Sequence, residues 1–311
     1  MTPAVATIAS RIRDRARSDP RGVALREKSL GIWRETTWAQ YGDLVERAAH
    51  GLLALGVGPR DRVAIECENR PEWLIADAGA VAARAVTAQL DSGARVLIAE
   101  DQEQVDKALA DKAGLPDLEW IVYLEPRGVR DYSEPSLVWW PDLLTRGEGH
   151  RAEHPGLLDE LAVEVRDADP VTPTLTAGDV NAALARDAFH PDAGAGDFVL
   201  CHLPLSQTAS RLSSGWLNAH AGVQLHFGEL SAGLAQTLRE VEPSLFLGTP
   251  SVWEGLVPGD ERRPRRLYAR ALRKRLGMRK CRSAVSVAPL APELVQRYGR
   301  LGIPVRTVEA I

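Results

Sequence analysis

Short apolar runs alternate with amphipathic stretches along this chain, and that alternation limits the fold more than any other feature. Residues 62–66, 94–99, 118–124, 198–202, 223–227, 244–247, 284–287 and 303–306 read as strands. Between them the spacing of apolar residues predicts helices over 38–55 (closed by Gly56), from Asn69 to about Ala83, and over 101–112, 206–218, 230–241 and 292–301. A helix over 4–17 ends at Asp19-Pro20, and 23–26 with 32–37 predict a hairpin across Ser29-Leu30-Gly31. Strands that alternate with helices build parallel sheets covered on both faces, so the expectation is an α/β fold. A polar stretch from Arg146 to about Ala195, with a helical pattern only over 179–189, divides the chain. Two subdomains follow: 1–190, with the N-terminal helix and hairpin, and 191–311.

The 311 residues suffice for two cores. No apolar run approaches the roughly 18 residues that a membrane-spanning helix needs, and no apolar core precedes Arg11, Arg13, Arg15 and Arg17, so neither a span nor a secretion signal is expected. Cys67, Cys201 and Cys281 are widely separated, which argues against a disulfide framework or a structural zinc site and for a reducing cytoplasm. The net charge of −4 conceals a basic segment with eleven Lys/Arg between Arg262 and Arg282. Only Tyr268 offers a stacking group there, while Leu267, Ala271, Leu272 and Leu276 recur at helical spacing. The segment therefore reads as an amphipathic surface helix with a solvated basic face, not as a nucleic-acid site.

Motifs with known chemistry are sparse. There is no Gly-Lys dipeptide for a Walker loop, and Gly56/Gly58 and Gly194/Gly196 lack the spacing of a dinucleotide fingerprint. No G-x-S-x-G elbow occurs. His150-Arg-Ala-Glu153-His154 matches the inverted zinc-protease pattern, but Gly147 and Gly149 before it and Pro155-Gly156 after it argue against the helix that pattern requires. Cys201 and His202 are neighbours on a predicted strand, so their side chains should leave on opposite faces. His220 and His226 lack a third ligand and read as structural.

Read as whole strings, Thr36-Thr-Trp-Ala-Gln-Tyr41, Gly51-Leu-Leu-Ala-Leu-Gly-Val-Gly58 with Arg62-Val-Ala-Ile65, and Glu68-Asn-Arg-Pro-Glu-Trp-Leu-Ile-Ala-Asp77 resemble the acyl-adenylate-forming (AMP-binding) enzymes, and the long-chain fatty acyl-CoA ligases in particular. Ser92-Gly-Ala-Arg-Val-Leu-Ile-Ala-Glu-Asp101, Leu203-Pro-Leu-Ser206, Val241-Glu-Pro-Ser-Leu-Phe-Leu-Gly-Thr-Pro250 and Ala288-Pro-Leu-Ala-Pro-Glu-Leu294 continue the match in order. The resemblance implies two layered, mainly parallel α/β subdomains like the N-terminal domain of acyl-CoA synthetases, with the small C-terminal domain absent. It also implies a reaction in which ATP and a carboxylate give an acyl-adenylate that passes to coenzyme A.

The same resemblance exposes gaps. The family's phosphate loop, ending in Pro-Lys-Gly, should fall between Asp169 and Asn181, where this chain reads Pro-Val-Thr-Pro-Thr-Leu-Thr-Ala-Gly-Asp-Val. The family's histidine after Leu-Pro-Leu-Ser is Gln207, its later acidic residue is Ser210, and the glycines expected before Ala288 are Ser286 and Val287. The chain stops at Ile311, about where the family's next nucleotide motif should begin. Sites for ATP, magnesium and CoA are thus expected to be missing, with no catalytic residue and no metal site. The expectation is a shortened, degenerate ligase homologue with a residual pocket for a fatty acid or acyl-CoA near Gln207, Thr249, Trp253 and Ala288. Sheet edges exposed by lost strands imply a homo-oligomer or a protein partner. The alternative is a working enzyme, either a ligase completed by a partner chain or a repurposed catalyst using Asp179, His202 or His226.

Overall fold

The structure, a computed structural model, describes residues 5–186, 189–190, 192–229, 232–256 and 266–308. Helix α1 (Ile8–Ser18) leads into β1 (Val23–Ser29) and β2 (Ile32–Thr37), then α2 (Trp38–Ala54), β3 (Arg62–Glu66), α3 (Pro71–Ala82) and β4 (Val86–Ala88). Next come β5 (Ala94–Ala99), α4 (Gln102–Ala110), β6 (Trp120–Tyr123), β7 (Leu137–Trp139), α5 (Trp140–Glu153), α6 (Leu157–Val163) and α7 (Ala177–Ala185). The chain continues with β8 (Phe198–Leu200), α8 (Thr208–Arg211), a π-turn (Leu212–Trp216), α9 (Leu217–Ala221), β9 (Gln224–Phe227) and α10 (Leu234–Val241). It closes with β10 (Leu245–Gly248), α11 (Pro250–Leu256), α12 (Arg266–Arg275), β11 (Ser283–Ser286), α13 (Pro292–Arg300) and β12 (Val305–Thr307).

Two compact units result: 1–22 with 37–182, and 23–36 with 183–311. The division therefore falls at 182/183 and not at 190/191. The hairpin belongs to the second unit, because Leu25, Arg26 and Glu27 pair in parallel with Leu225, His226 and Phe227 of β9. Ladder hydrogen bonds outweigh closeness in sequence. The hairpin turns through Leu30 (φ 51°) and Gly31 (φ 77°), two consecutive left-handed residues that match the right-handed twist of the strands.

The first unit holds a parallel sheet in the order β4-β3-β5-β6-β7. Val105 and Ala108 of α4 pack with Leu97, Leu115 and Ile121 in one cluster. Helix α2 ends before Gly56, as its sequence predicts, and the structure adds a Thr37–Gln40 capping box at its start. Helix α3 begins one residue later than expected: Arg70 is its N-cap and Pro71 supplies the pre-set φ of the first turn. The region of His150 differs more. Helix α5 runs through it despite Gly147 and Gly149, because Leu143 and Leu144 are buried and Gly147 lets α5 approach α2 closely. A Cβ on Gly147 would lie 1.8 Å from the Arg47 carbonyl oxygen, and one on Gly51 would lie 2.5 Å from that of Leu143. Glycine here serves packing, not helix termination.

The second unit holds a sheet in the order β12-β11-β10-β8-β9-β1-β2, parallel from β12 through β1. Leu238 of α10, Trp253 of α11, Leu272 of α12 and Tyr298 of α13 bury one face of it in a single cluster with Phe246 and Ala284. Trp253 forms edge-to-face contacts with Phe246 and Tyr298 at 5.2 and 4.9 Å between ring centroids. The helix expected over 206–218 begins at Thr208 and widens into the π-turn. Ser213 and Ser214 hydroxyls both donate to the Ser210 carbonyl, a back-bonding that loosens the α-helical ladder. The start of the helix predicted over 230–241 and much of the basic segment, 262–265, lie outside the described residues. Ala269, Leu272 and Leu276 turn the rest of that segment's apolar side to the core, while Arg270, Lys274 and Arg275 are exposed.

Candidate functional site

In open parallel sheets, loops leaving neighbouring strands in opposite directions open a crevice at the carboxyl ends of those strands. In the second unit this reversal lies between β8, whose connection leads to β9, and β10, whose connection leads to β11 on the other side. Cys201 to Gln207 leave β8 there, Thr249 leaves β10, and Val287-Ala288 leave β11 next to it. Topology thus gathers Gln207, Thr249 and Ala288 at one end of one sheet.

Their local chemistry differs. Gln207 is exposed and is the N-cap of α8, its side chain making no cap bond. Thr249 Oγ1 accepts from the Val252 amide at 3.3 Å and lies 2.9 Å from Ser251 Oγ, which fixes the start of α11. The Ala288 carbonyl accepts the Ser286 hydroxyl at 2.6 Å. Trp253 is different in kind. It is fully buried, its indole N–H donates to the Val285 carbonyl at 3.1 Å, and its own carbonyl accepts Tyr298 OH at 2.7 Å. It belongs to the core beneath β10 and β11 and supports the site from behind.

Cys201 and His202 do leave on opposite sides. The Cys201 thiol lies 4.0 Å from Ser214 of the π-turn, and burial pushes it up to about 12. His202 stacks flat on Phe246 at 4.9 Å, and its Nδ1 lies 3.2 Å from the Leu200 carbonyl. Burial pulls its imidazole down to about 4, and Nε2 has no hydrogen-bond partner. His226 bonds Gln224 through Nε2 at 2.8 Å between the edges of Trp33 and Phe198, and burial with Arg26 and Lys280 nearby pulls it down to about 3. Both histidines are neutral at pH 7, His226 in the core and His202 half-buried. Ser210, at the position of the family's acidic residue, is buried and donates to the Leu203 carbonyl at 2.7 Å. No nucleophile–base pair arises from these groups.

The reversal in the first unit lies between β3 and β5, and a salt-bridge network fills it. Arg70 reaches Glu72 at 2.8 Å, Glu125 at 3.2 Å and Glu100 at 3.5 Å. Burial alone would lower the Arg70 guanidinium, but these carboxylates hold it more basic than usual. The Glu68 amide donates to Glu100 at 2.7 Å, and the thiol of half-buried Cys67 is driven upward by desolvation and by these acids. Sequence reading missed this network because its members are scattered from Glu68 to Glu125.

Where the phosphate loop is expected, the chain forms a tight turn. An antiparallel bridge joins Pro170 to Thr176, and Thr172 Oγ1 accepts the amides of Thr174 and Leu175 at 3.2 and 2.9 Å. The amides of Val171 and Thr172 donate to the Leu175 carbonyl, that of Thr176 to Asp179, that of Ala177 to the Asp169 carbonyl, that of Gly178 to the Asp167 carbonyl and that of Asp179 to Thr176 Oγ1. Pro170 and Pro173 have no N–H. Every donor over 170–179 is thus engaged inside the segment or with its flanks. Asp179, with its carboxyl held below the usual range by the Thr176 amide and hydroxyl, closes the first turn of α7. The sequence has no lysine between Lys112 and Lys274. A polyphosphate cradle needs free N–H groups and a cation, and these residues do not fit one. Among the described residues no group of three or more His, Cys, Asp or Glu could hold a metal ion, and no helix is long and apolar enough to cross a membrane.

Comparison with known proteins agrees with this architecture. The AMP-binding enzyme family matches residues 12–136. A long-chain-fatty-acid–CoA ligase, ACSBG2 of Xenopus laevis, is 27% identical over 266 residues, covering 75% of this chain and 35% of its own length. The chain thus spans about a third of the length of the curated relatives it matches first. Among solved structures, the N-terminal domain of FACL13 from Mycobacterium tuberculosis aligns with a TM-score of 0.67 at 21% identity, covering 98% of this chain and 76% of that one. The A-PCP didomain of carboxylic acid reductase from Segniliparus rugosus, in complex with AMP, aligns with a TM-score of 0.78 at 14% identity, covering 98% of this chain and 53% of that one. By sequence the chain is similar to the AMP-binding enzymes over residues 12–136 and to long-chain-fatty-acid–CoA ligases, and its fold is that of an acyl-CoA synthetase N-terminal domain.

Proposed function

We propose that this chain is a ligase homologue that holds an acyl ligand, a fatty acid or an acyl-CoA, without adenylating a carboxylate by itself. One observation carries the reading: over 170–179 no backbone donor is left for a polyphosphate. Without aligned N–H groups or a lysine, the charge that develops on a pyrophosphate leaving group finds no stabilising partner. The acyl ligand would lie at the strand ends of the second unit, with Gln207, Thr249 and Ala288 facing it and Trp253 packed behind. Three free thiols, Cys67, Cys201 and Cys281, suit a reducing cytoplasm.

Isothermal titration of the chain with palmitate and with palmitoyl-CoA tests the ligand. Saturable heat with either supports it, and no binding of either overturns it. The same reading includes a second copy or a protein partner covering sheet edges, for which light scattering expects a mass above that of a monomer. A monomer at every concentration removes the second copy from the account.

A further inference from the structure

The closest packing in the first unit carries a pair of histidines that the acyl-site reading leaves unused. Helices α2 and α5 approach through Gly51 and Gly147, backbone against side-chain-free backbone. Beside that contact His50 Nδ1 lies 2.9 Å from His150 Nδ1, with ring centroids 5.2 Å apart. His50 is buried, and His154, one turn beyond His150, lies against His150 with ring centroids 4.4 Å apart. At this distance one nitrogen must donate and the other accept, so the contact holds a single proton. A proton on both nitrogens replaces a hydrogen bond by repulsion between two N–H groups.

We propose that His50 and His150 form a proton-operated clasp between α2 and α5, closed while their contact holds one proton and opened when it takes a second. The surrounding charges favour release. Arg151 on α5 lies near the pair and is held by Asp43 at 2.8 Å and Glu46 at 3.4 Å on α2. Arg47 on α2 reaches Glu148 on α5 at 3.7 Å and Asp43 at 3.8 Å. Arg13 of α1 holds Glu46 at 3.6 Å and also pairs with Asp159 of α6. The nearby acids are therefore paired with arginines, and a second proton would add charge beside Arg151 and His154. Glu153 alone among the neighbours favours a charged His150. Burial and the cations pull both imidazoles below their ordinary value, in accord with a neutral pair at pH 7.

The test uses the full chain in EDTA-treated buffer, with unfolding midpoints followed from pH 7.5 to pH 5 and amide exchange followed in α5. Unfolding of the wild type should take up about one more proton near pH 5.5 than unfolding of His150→Gln, which can bond but does not titrate there. The α5 amides of the wild type should lose at least tenfold protection relative to that variant. His154→Gln, which leaves the contact in place, should keep the wild-type dependence, and His50→Gln serves if His150→Gln does not fold. Parallel pH profiles for wild type and the contact variants, or α5 protection that stays equal in both at pH 5, overturn the clasp, since a pair that is only buried changes the unfolding slope without loosening α5 locally. A midpoint at pH 7.5 that falls on adding EDTA and recovers with zinc would reassign the pair to a metal and also overturn it.

Discussion

The backbone N–H of Thr87 donates to the Val171 carbonyl at 3.2 Å, so the turn that stands where a phosphate loop is expected seals the outer edge of β4. The Thr87 hydroxyl donates at the same time to Asp77 at 2.9 Å. This docking makes the segment part of the first unit's structure.

Thr172 organises that turn, since its Oγ1 accepts two amides. Thr172→Val removes the acceptor while keeping the shape and should cost about 1–2 kcal/mol. Urea denaturation measures this. An unchanged midpoint would mean that the hydroxyl does not set the turn.

Gly147→Ala should be severe, because its Cβ would fall 1.8 Å from the Arg47 carbonyl and backbone must move. The expected loss is about 3 kcal/mol or more, read from thermal unfolding. Gly149→Ala, with nothing within 4 Å of the new Cβ, should be neutral or slightly stabilising.

His202 supplies a pH dependence whose sign follows from its environment. Its imidazole is pulled from 6.5 to about 4 by burial, so the unfolded chain binds its proton more readily than the folded one. Its contribution is complete above pH 6.5 and falls by about 1.4 kcal/mol per unit as pH drops from there toward 4. His202→Phe keeps the stack on Phe246 and should flatten that slope by one proton. Equal slopes for the two proteins would contradict the assignment.

Trp253 and Gln207 should separate support from contact. Trp253→Ala opens a cavity in the core and should cost about 3–5 kcal/mol of stability. Exposed Gln207→Ala should leave the melting temperature within about a degree while weakening palmitate or palmitoyl-CoA binding severalfold. Loss of stability in both variants would place Gln207 in the fold and not in the site.

Much of this architecture was legible because local rules and burial agree. Gly56 after α2 and the apolar runs of β3, β5 and β10 all read correctly from spacing alone. Strands β4 and β7 are three residues each and too short to show a period. Helix α5 was hidden because Gly147 looks like a helix breaker until the Arg47 carbonyl behind it is known. The hairpin was visible, but its membership of the second sheet depends on pairing with β9, about 200 residues away. Gln207, Thr249 and Ala288 entered the candidate site through resemblance alone, while the burial of Trp253 required the packing of β10 and α13.

The most direct measurement is pyrophosphate release by the isolated chain with ATP, magnesium, coenzyme A and mixed fatty acids, run beside a titration of ATP alone. The account predicts no pyrophosphate above the protein-free blank and no saturable ATP heat. Turnover dependent on fatty acid, or ATP bound at micromolar concentration, would contradict it.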